Sequence, residues 1–323
     1  MWTDVVLLPR LVVVLYFPGS ATMNTSVKVR IPATSANMGP GFDCLGLALD
    51  IWNTVALETG ECGFEITGEG TDQLPRDRSN MVYQGVARVF QELGRSVPPF
   101  RIVCHNEVPL TRGLGSSSAA LVGGLVAGNS VCGGPLAGSD LLEIAAGIEG
   151  HPDNVASALR GGCQVAVSHE GRVVAATVPM PDDLAAVLFV PSVPMPTEQA
   201  RAILESNVAR SDAVYNIGRA ALLVQALASG DLTGLAIATD DRLHQPARET
   251  MFPAMRNLFR AALGAGALGV FLSGAGPTVL ALARGREFTI GYEMADAAAK
   301  SGIDGQVKIT KPTKRGAHVV EGA

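Results

Sequence analysis

Hydrophobic positions along the chain follow two periods. Val27, Val29 and Ile31 alternate with polar neighbours in VKVRI, the period of a half-buried strand. The runs LALDIWNTVALE and GFEITGEG carry short β-type pattern on to Glu69, punctuated by Gly and Pro. The period then lengthens. Val82, Val86, Val89 and Phe90 recur at helical spacing, with Ser79 or Asn80 as the start signal and Gly94 as the stop, which predicts a helix over Asn80 to Leu93. FRIVCHNEV, ending at Val108, reads as a strand that runs into Pro109. AALVGGLVAG is small and apolar throughout, as a buried helix is, and LLEIAAGIEG forms a second helix capped by Ser139 or Asp140 and carrying Glu143 and Glu149. The short helical stretch VASALR and the strand GGCQVAVSHEG follow.

The register changes around Glu170 to Pro181. A strand pair, RVVAATV and AAVLFVP, and the turn PSVPMP lead to a helix from Thr197, with further helices over Asp212 to Ser229 and Asp231 to Asp240. LGVFLSGAGPTVLALA reads as two strands joined through a Gly-rich turn, and a last helix covers Ile290 to Ser301. The pattern therefore predicts an N-terminal domain over residues 23–170 and a C-terminal α+β domain over 171–323. Residues 1–22 stand apart. Asp4 to Ala21 is apolar but broken by Pro9 and Arg10, so its longest unbroken run falls short of the roughly 20 residues a membrane-spanning helix needs. Leu11 to Phe17 resembles the apolar core of a signal peptide, yet one acid and no base precede Pro9. Met23 opens MNTSVKVRIPATSAN, so a start assigned too far upstream is the favoured reading, beside a signal or anchor segment and a structured extension.

Composition narrows the class. Among 323 residues 47% are hydrophobic and 17% charged, with 37 glycines, as in compact enzymes and unlike disordered chains. A net charge of -5 gives no basic footprint, so a nucleic-acid partner is excluded and any anionic ligand must be held by local groups. The five cysteines include no C-x-x-C pair, which points away from a disulfide frame or a zinc site and fits a reducing cytoplasm. No transition metal is assigned, no membrane partner is expected, and a homodimer is left open.

The stretch TRGLGSSSAALVGG, residues 111–124, carries the chemistry. Gly113 and Gly115 allow close approach of backbone to a ligand, and Ser116, Ser117 and Ser118 stand at the start of the apolar helix, the arrangement of a helix cap with free backbone donors. Such an end carries roughly half a positive charge and binds anions. A flexible linker would be polar on both sides, whereas this stretch lies between a strand and a buried helix. No lysine follows the glycines as a P-loop demands, and the third glycine of a dinucleotide fingerprint is missing. Phosphate charge must then be met by Mg²⁺, the helix end and nearby arginines. Ser117 offers a hydroxyl to Mg²⁺, and Glu143 on the next helix is a candidate carboxylate.

IPATSANMGPGFDCLG (31–46), PLTRGLGSSSA (109–119) and LSGAGPTV (272–279) occur in the order and rough spacing of the three motifs of the GHMP small-molecule kinases. Where other branches commonly carry Pro-Gly-Lys, Pro32-Ala33-Thr34 stands here, and the form P-A-T-S-A-N-x-G-P-G-F-D is similar to the homoserine kinase family. HPDNVASALRGG and TEQARAIL resemble that family as well, so the likeness extends from about Val27 to the C-terminal region. It implies a two-domain α+β fold: an N-terminal domain like ribosomal protein S5 domain 2 and a ferredoxin-like C-terminal domain, with the site between them. The implied reaction converts ATP and L-homoserine to ADP and O-phospho-L-homoserine, in threonine biosynthesis. Pro109, Leu110, Thr111, Arg112, Gly113, Leu114, Gly115, Ser116, Ser117, Ser118 and Ala119 would wrap the ATP phosphates, with Ser117 and Glu143 on Mg²⁺ and Asn80 near the adenine. Ser273 to Pro277 would support the phosphate loop from the other domain.

Homoserine presents an ammonium, a carboxylate and a primary hydroxyl. Asp43 with Asn37 could take the ammonium, and Arg201 and Arg248 match family positions for the carboxylate, where paired guanidinium donors suit a planar anion. Arg248 in HQPARETMFP also reads as a surface helix arginine. Thr197 and Asn154 are similar to residues near the reacting end. Asp153 is the tempting general base, but resemblance puts Asn154 at the hydroxyl, and transfer through a loose transition state relies on positioning more than on a base. One departure bears on the site: Glu205 and Ser206 follow Leu204 where family members often have proline. The rival readings are a related kinase for a mevalonate-type or sugar alcohol, which offers no ammonium to Asp43, and a non-catalytic sensor on the same fold.

Overall fold

A computed structural model describes residues 26–322; the N-terminal extension, residues 1–22, lies outside the described residues. Elements run β1 (Ser26–Ala36), β2 (Leu45–Thr59), β3 (Gly63–Gly68), α1 (Met81–Glu92), β4 (Phe100–Asn106), α2 (Ser116–Val131), α3 (Gly138–Glu149), α4 (Asp153–Arg160), β5 (Cys163–His169), β6 (Arg172–Val178) and β7 (Ala185–Pro191). The order continues with α5 (Thr197–Ala202), α6 (Arg210–Ser229), α7 (Leu235–Ala238), α8 (Gln245–Arg248), α9 (Met255–Gly264), β8 (Gly269–Leu272), β9 (Val279–Ala283), α10 (Glu287–Lys300), β10 (Gly305–Thr310) and β11 (His318–Gly322).

The alternating Val27, Val29 and Ile31 point into one core, with Val55 and Leu57 of the antiparallel partner β2 and Ile102 of β4. The first sheet is ordered β11-β1-β2-β4-β3, and the β5–β6 hairpin pairs with the opening residues of β2. α2 is buried on almost every side, which is why its sequence shows no polar face. The second sheet is antiparallel in the order β10-β7-β9-β8; counted along the chain its strands lie 4-1-3-2, the ferredoxin-like arrangement, with α9 and α10 packed on it.

The chain changes sheets between Val178 and Ala185, later than the register change near Glu170, because β6 is the second arm of a hairpin with β5. The C-terminal tail is not part of the second domain's sheet: β11 returns to pair antiparallel with β1. Short elements were the hardest to read. The helix expected over Asp231 to Asp240 shrinks to α7, and α9, β10 and β11 have no counterpart in the hydrophobic pattern.

Candidate active site

A cavity of about 450 Å³ lies between the domains, lined from the N-terminal side by the phosphate loop and the start of α4, and from the C-terminal side by Thr197, Arg201, Arg248 and Gly274. Pro109 through Ser118 all line it, whereas Ala119 is fully buried and packs into the core behind α2. The helix begins differently from the serine cap the sequence predicts. Gly115, in the left-handed region at φ 69, is the N-cap of α2, and Ser116, Ser117 and Ser118 form its first turn. Their amide groups therefore lie in the turn that no helix carbonyl can satisfy. The hydroxyls are not caps either: Ser117 Oγ and Ser118 Oγ donate to Glu149 Oε1 at 2.8 and 2.9 Å.

Glycine is required at two of these positions. A Cβ on Gly115 would stand 1.9 Å from Thr34 Oγ1, and one on Gly113 (φ 73) would stand 2.1 Å from the Ser273 carbonyl oxygen. Strand β1 and the turn after β8 press against the loop that closely. Ser273 Oγ reaches Gly113 O at 2.6 Å, and Thr278 N–H donates to Arg112 O at 3.3 Å, so the Ser273 to Pro277 turn does support the loop from the second domain. Arg112 is not free to face a phosphate. Its Nε donates to Pro191 O (2.7 Å), Nη1 to Leu110 O (3.0 Å) and Nη2 to Ser192 O, which clamps the loop to the second domain. Burial lowers its pKa.

The carboxylate beside Ser117 is Glu149, and Glu143 does not line the cavity. Six residues along a helix are a rotation of about 240° and a rise of about 9 Å, so the two glutamates of α3 cannot face one point. Glu149 closes α3 directly before Gly150-His151-Pro152-Asp153-Asn154, the segment that carries Asn154, and that adjacency was the signal in the sequence.

Asn80 lines the other end of the cavity with Ile66, Leu74, Pro75 and Met81. Its Oδ1 accepts Val82 N–H at 2.9 Å as the N-cap of α1, and its Nδ2 donates to Pro75 O at 2.8 Å, which folds the Pro75 loop over an apolar slot. Leu74 and Pro75 carried no sequence signal for this role. Cys104 lines the cavity and Cys44 follows Asp43 in the chain; burial pushes Cys44 up to about 11 and Cys104 to about 12, which leaves neither as a nucleophile at neutral pH.

At the end of the cavity lined by Arg201 and Arg248, Asn37, Met38 and Asp43 are non-glycine residues at φ 67, 47 and 56, a strained loop of the kind functional sites maintain. Asn37 is spent on holding that loop: Oδ1 accepts Asp43 N–H at 3.0 Å and Nδ2 donates to Gly274 O at 2.9 Å. Arg201, on α5, makes a two-pronged pair with Asp43 at 2.8 and 2.9 Å. This pairing, offset by partial burial, raises the arginine's pKa. Arg248 is no surface arginine but 2% exposed. It donates to Ala200 O (3.2 Å), Gly274 O (2.9 Å) and His244 Nδ1 (2.9 Å), while His244 Nε2 donates to Gly39 O at 2.7 Å. Burial and the neighbouring Arg201 lower Arg248 to about 10. Burial pushes His244 down to about 4 against the pull of Asp241, so it stays neutral and can accept from Arg248.

Asp153 and Asn154 open α4 at the centre of the cavity. Asp153 is 1% exposed and its Oδ1 is taken by His151 Nδ1 and by Asn154 N–H, both at 2.7 Å. Burial alone would lower His151, but the bond to Asp153 and the charges of Asp153, Glu149 and Asp43 outweigh it and raise its pKa. Asn154 Oδ1 accepts from Thr34 Oγ1 at 2.7 Å. The carboxylates of Asp43 and Asp153 and the ring of His151 bring their polar atoms within 4.8 Å of one another, and each of the three is already paired, Asp43 with Arg201 and Asp153 with His151. Among the described residues no helix is long and apolar enough to cross a membrane.

One interdomain cavity thus joins a helix N-terminus with free amides, which can receive an anion, to an acid and two arginines. Residues 80–162 match the GHMP kinases N terminal domain and residues 223–300 the GHMP kinases C terminal domain. The homoserine kinase of Moorella thermoacetica is 43% identical over 293 residues, 90% of this chain and 99% of that protein. A crystal structure of homoserine kinase from Cytophaga hutchinsonii superposes with a TM-score of 0.84 at 33% identity, covering 95% of this chain and 100% of that one. The mevalonate kinase of L. major, at 13% identity and a TM-score of 0.63, shares the fold alone. The chain belongs to the homoserine kinase family of the GHMP kinases.

Proposed function

We propose that the chain transfers the γ-phosphoryl group of ATP to the hydroxyl of L-homoserine, yielding O-phospho-L-homoserine, ADP and a proton, with the cavity residues in the following roles. The observation that carries this is the charge layout: one acid, Asp43, faces two arginines, Arg201 and Arg248, within reach of the phosphate loop. A ligand with both a cation and an anion can take over both partners of the Asp43–Arg201 pair and reach Arg248 as well. A sugar or mevalonate brings no ammonium to Asp43.

The ammonium sits at Asp43, whose loop Asn37 maintains, and the carboxylate at Arg201 and Arg248. Substrate replaces the internal Asp43–Arg201 pair charge for charge, so neither group is left uncompensated in the filled site. Thr197, at the start of α5, lines the same end. Asn154 orients the hydroxyl. Asp153 is fixed by His151 and its own helix, which leaves it to shape the site, and a loose transition state asks for alignment more than for a base. The amides of Ser116 to Ser118 receive phosphate oxygens, and the slot beside Asn80 takes the adenine.

The family also implies Mg²⁺. Ser117 Oγ and the Glu149 carboxylate are hard oxygen donors side by side at the phosphate loop, a set that fits this ion, and Mg²⁺ held there supplies charge neutralisation for the phosphates. This replaces Glu143 with Glu149 in the ligand pair. The test is ADP release by the purified chain from Met23, with L-homoserine, L-threonine, mevalonate and galactose offered separately. Release is expected with homoserine and background with mevalonate and galactose; no homoserine-dependent release overturns the assignment.

A further inference from the structure

Thr34 lies on β1, is fully buried and does not line the cavity, yet its hydroxyl hydrogen is aimed at the one amide proposed to meet the substrate alcohol. Its backbone N–H donates to Leu114 O of the phosphate loop at 3.1 Å, so the residue is fixed at both ends. Gly115, the N-cap of α2, approaches from the other side, where an added Cβ would stand 1.9 Å from Thr34 Oγ1 and 3.2 Å from Asn154 Oδ1. Strand β1, the phosphate loop and the start of α4 thus converge on a single hydroxyl.

A carboxamide has one accepting end and one donating end, and rotation by half a turn exchanges them. With Oδ1 held inward by Thr34, only the Nδ2 group remains to face the cavity. We propose that Thr34 is a positioning residue that fixes the orientation of the Asn154 amide, so that Asn154 donates to the substrate hydroxyl oxygen. This holds the oxygen in line with the phosphate loop and leaves its proton to pass to an oxygen of the transferred phosphoryl group, and from there to water, as the new O–P bond forms and the bond to ADP breaks. The inference rests on the assignment of homoserine phosphorylation above. A hydroxyl acting only through Asn154 affects the reacting geometry and leaves the charged ends of the substrate alone, so it shows in kcat and not in KM.

The experiment compares Thr34→Val, which keeps the shape without the hydroxyl, with Thr34→Ser, which keeps the hydroxyl, each alone and in an Asn154→Ala background, by steady-state ADP release. T34V is expected to lower kcat about tenfold, equivalent to ~1.4 kcal/mol, with KM for ATP and homoserine within about twofold; T34S recovers most of the loss. Added to N154A, T34V is expected to cost less than about twofold, because its route of action is already gone. Should T34V not fold, T34A against T34S makes the same comparison. Wild-type kcat in T34V, an equal loss in T34S, or full additivity with N154A overturns the proposal. A wild-type chain inactive on homoserine strikes instead at the functional assignment on which it stands.

Discussion

A guanidinium at 2% exposure is expensive to bury, and Arg248 meets the cost with three acceptors, two of them carbonyls and the third a neutral imidazole. The charge is held in place before any anion arrives, as the carboxylate site proposed for it requires. Glu149 makes the opposite kind of contact, an exposed-side carboxylate that gathers two serine hydroxyls and can exchange them for a cation. Substituting Glu149→Gln is expected to reduce kcat at least about tenfold and to raise the Mg²⁺ concentration needed for half-maximal rate, whereas Glu143→Gln stays within about twofold. Titrating Mg²⁺ in the ADP-release assay checks both; equal effects would return the metal site to the middle of α3. Residue types at the site were legible because a phosphate cradle, an acid and paired arginines each need particular side chains. Which of two glutamates on one helix stands beside Ser117, and that Arg112 braces the loop through carbonyls of the second domain, depended on rotation and distance that sequence does not carry.

At the scale of elements, the site is set by how α2 begins. The helix has no polar face to show its orientation, so its N-terminus is aimed by what presses on the preceding loop, β1 through Thr34 and the second domain through Ser273. Gly115→Ala would set a Cβ against Thr34 Oγ1 at a left-handed position, where a non-glycine residue costs about 1–2 kcal/mol before any clash. The variant is expected to melt at lower temperature and to raise KM for ATP at least about tenfold. Gly147→Ala, in the interior of α3 where nothing lies within 4 Å of the new Cβ, should instead stabilise by ~0.5–1 kcal/mol. Thermal melts with ATP kinetics test the pair, and a G115A chain with ordinary ATP affinity would show that the close approach is not needed. The long periodic elements, α1, α2, α6 and the β1–β2 pair, were readable from pattern because each buries one face or all of itself. Short α7, α9 and the returning β11 were not, since four to ten residues give too few periods to separate from loop.

For the whole molecule, the cavity exists because the domains are stitched beneath it. Gly274 N–H donates to Ala36 O at 3.0 Å, Asn37 reaches Gly274 O, and His244 reaches Gly39 O from α8's edge. The same imidazole makes the junction sensitive to acid through its other nitrogen, Nδ1, which accepts from Arg248. His244 is buried against Asp241, Arg248 and, further off, Asp43, and its folded pKa of about 4 lies below the 6.5 of an unperturbed histidine. Between those values the unfolded chain binds the extra proton, so the contribution of neutral His244 is complete above about pH 6.5 and is lost as pH falls toward 4. His151, raised in the fold, works in the reverse sense and offsets part of the loss. A decline of roughly 1–3 kcal/mol across that window is expected, while in the folded chain His244 stays neutral and keeps its bond from Arg248 until pH nears 4. Chemical denaturation at about pH 7.5 and about pH 5 measures it; equal stability at both would sink the idea.

The sequence by itself determined the chemistry on offer. Glycines at 113 and 115 before three serines allow a backbone close to an anion, Asp43 and the two arginines offer contacts to a partner of both charges, and the buried pattern of α2 requires a core on all sides. Those are local demands, met or failed within a few residues. Only the tertiary structure decided which groups share a point in space: Glu149 and not Glu143 on Ser117, Thr34 on Asn154, Arg112 turned to the second domain, β11 returned to the first sheet. Each depends on contacts between residues tens to hundreds of positions apart, and a hydrogen bond at 2.7 Å between Thr34 and Asn154, 120 residues distant, leaves no mark in either neighbourhood.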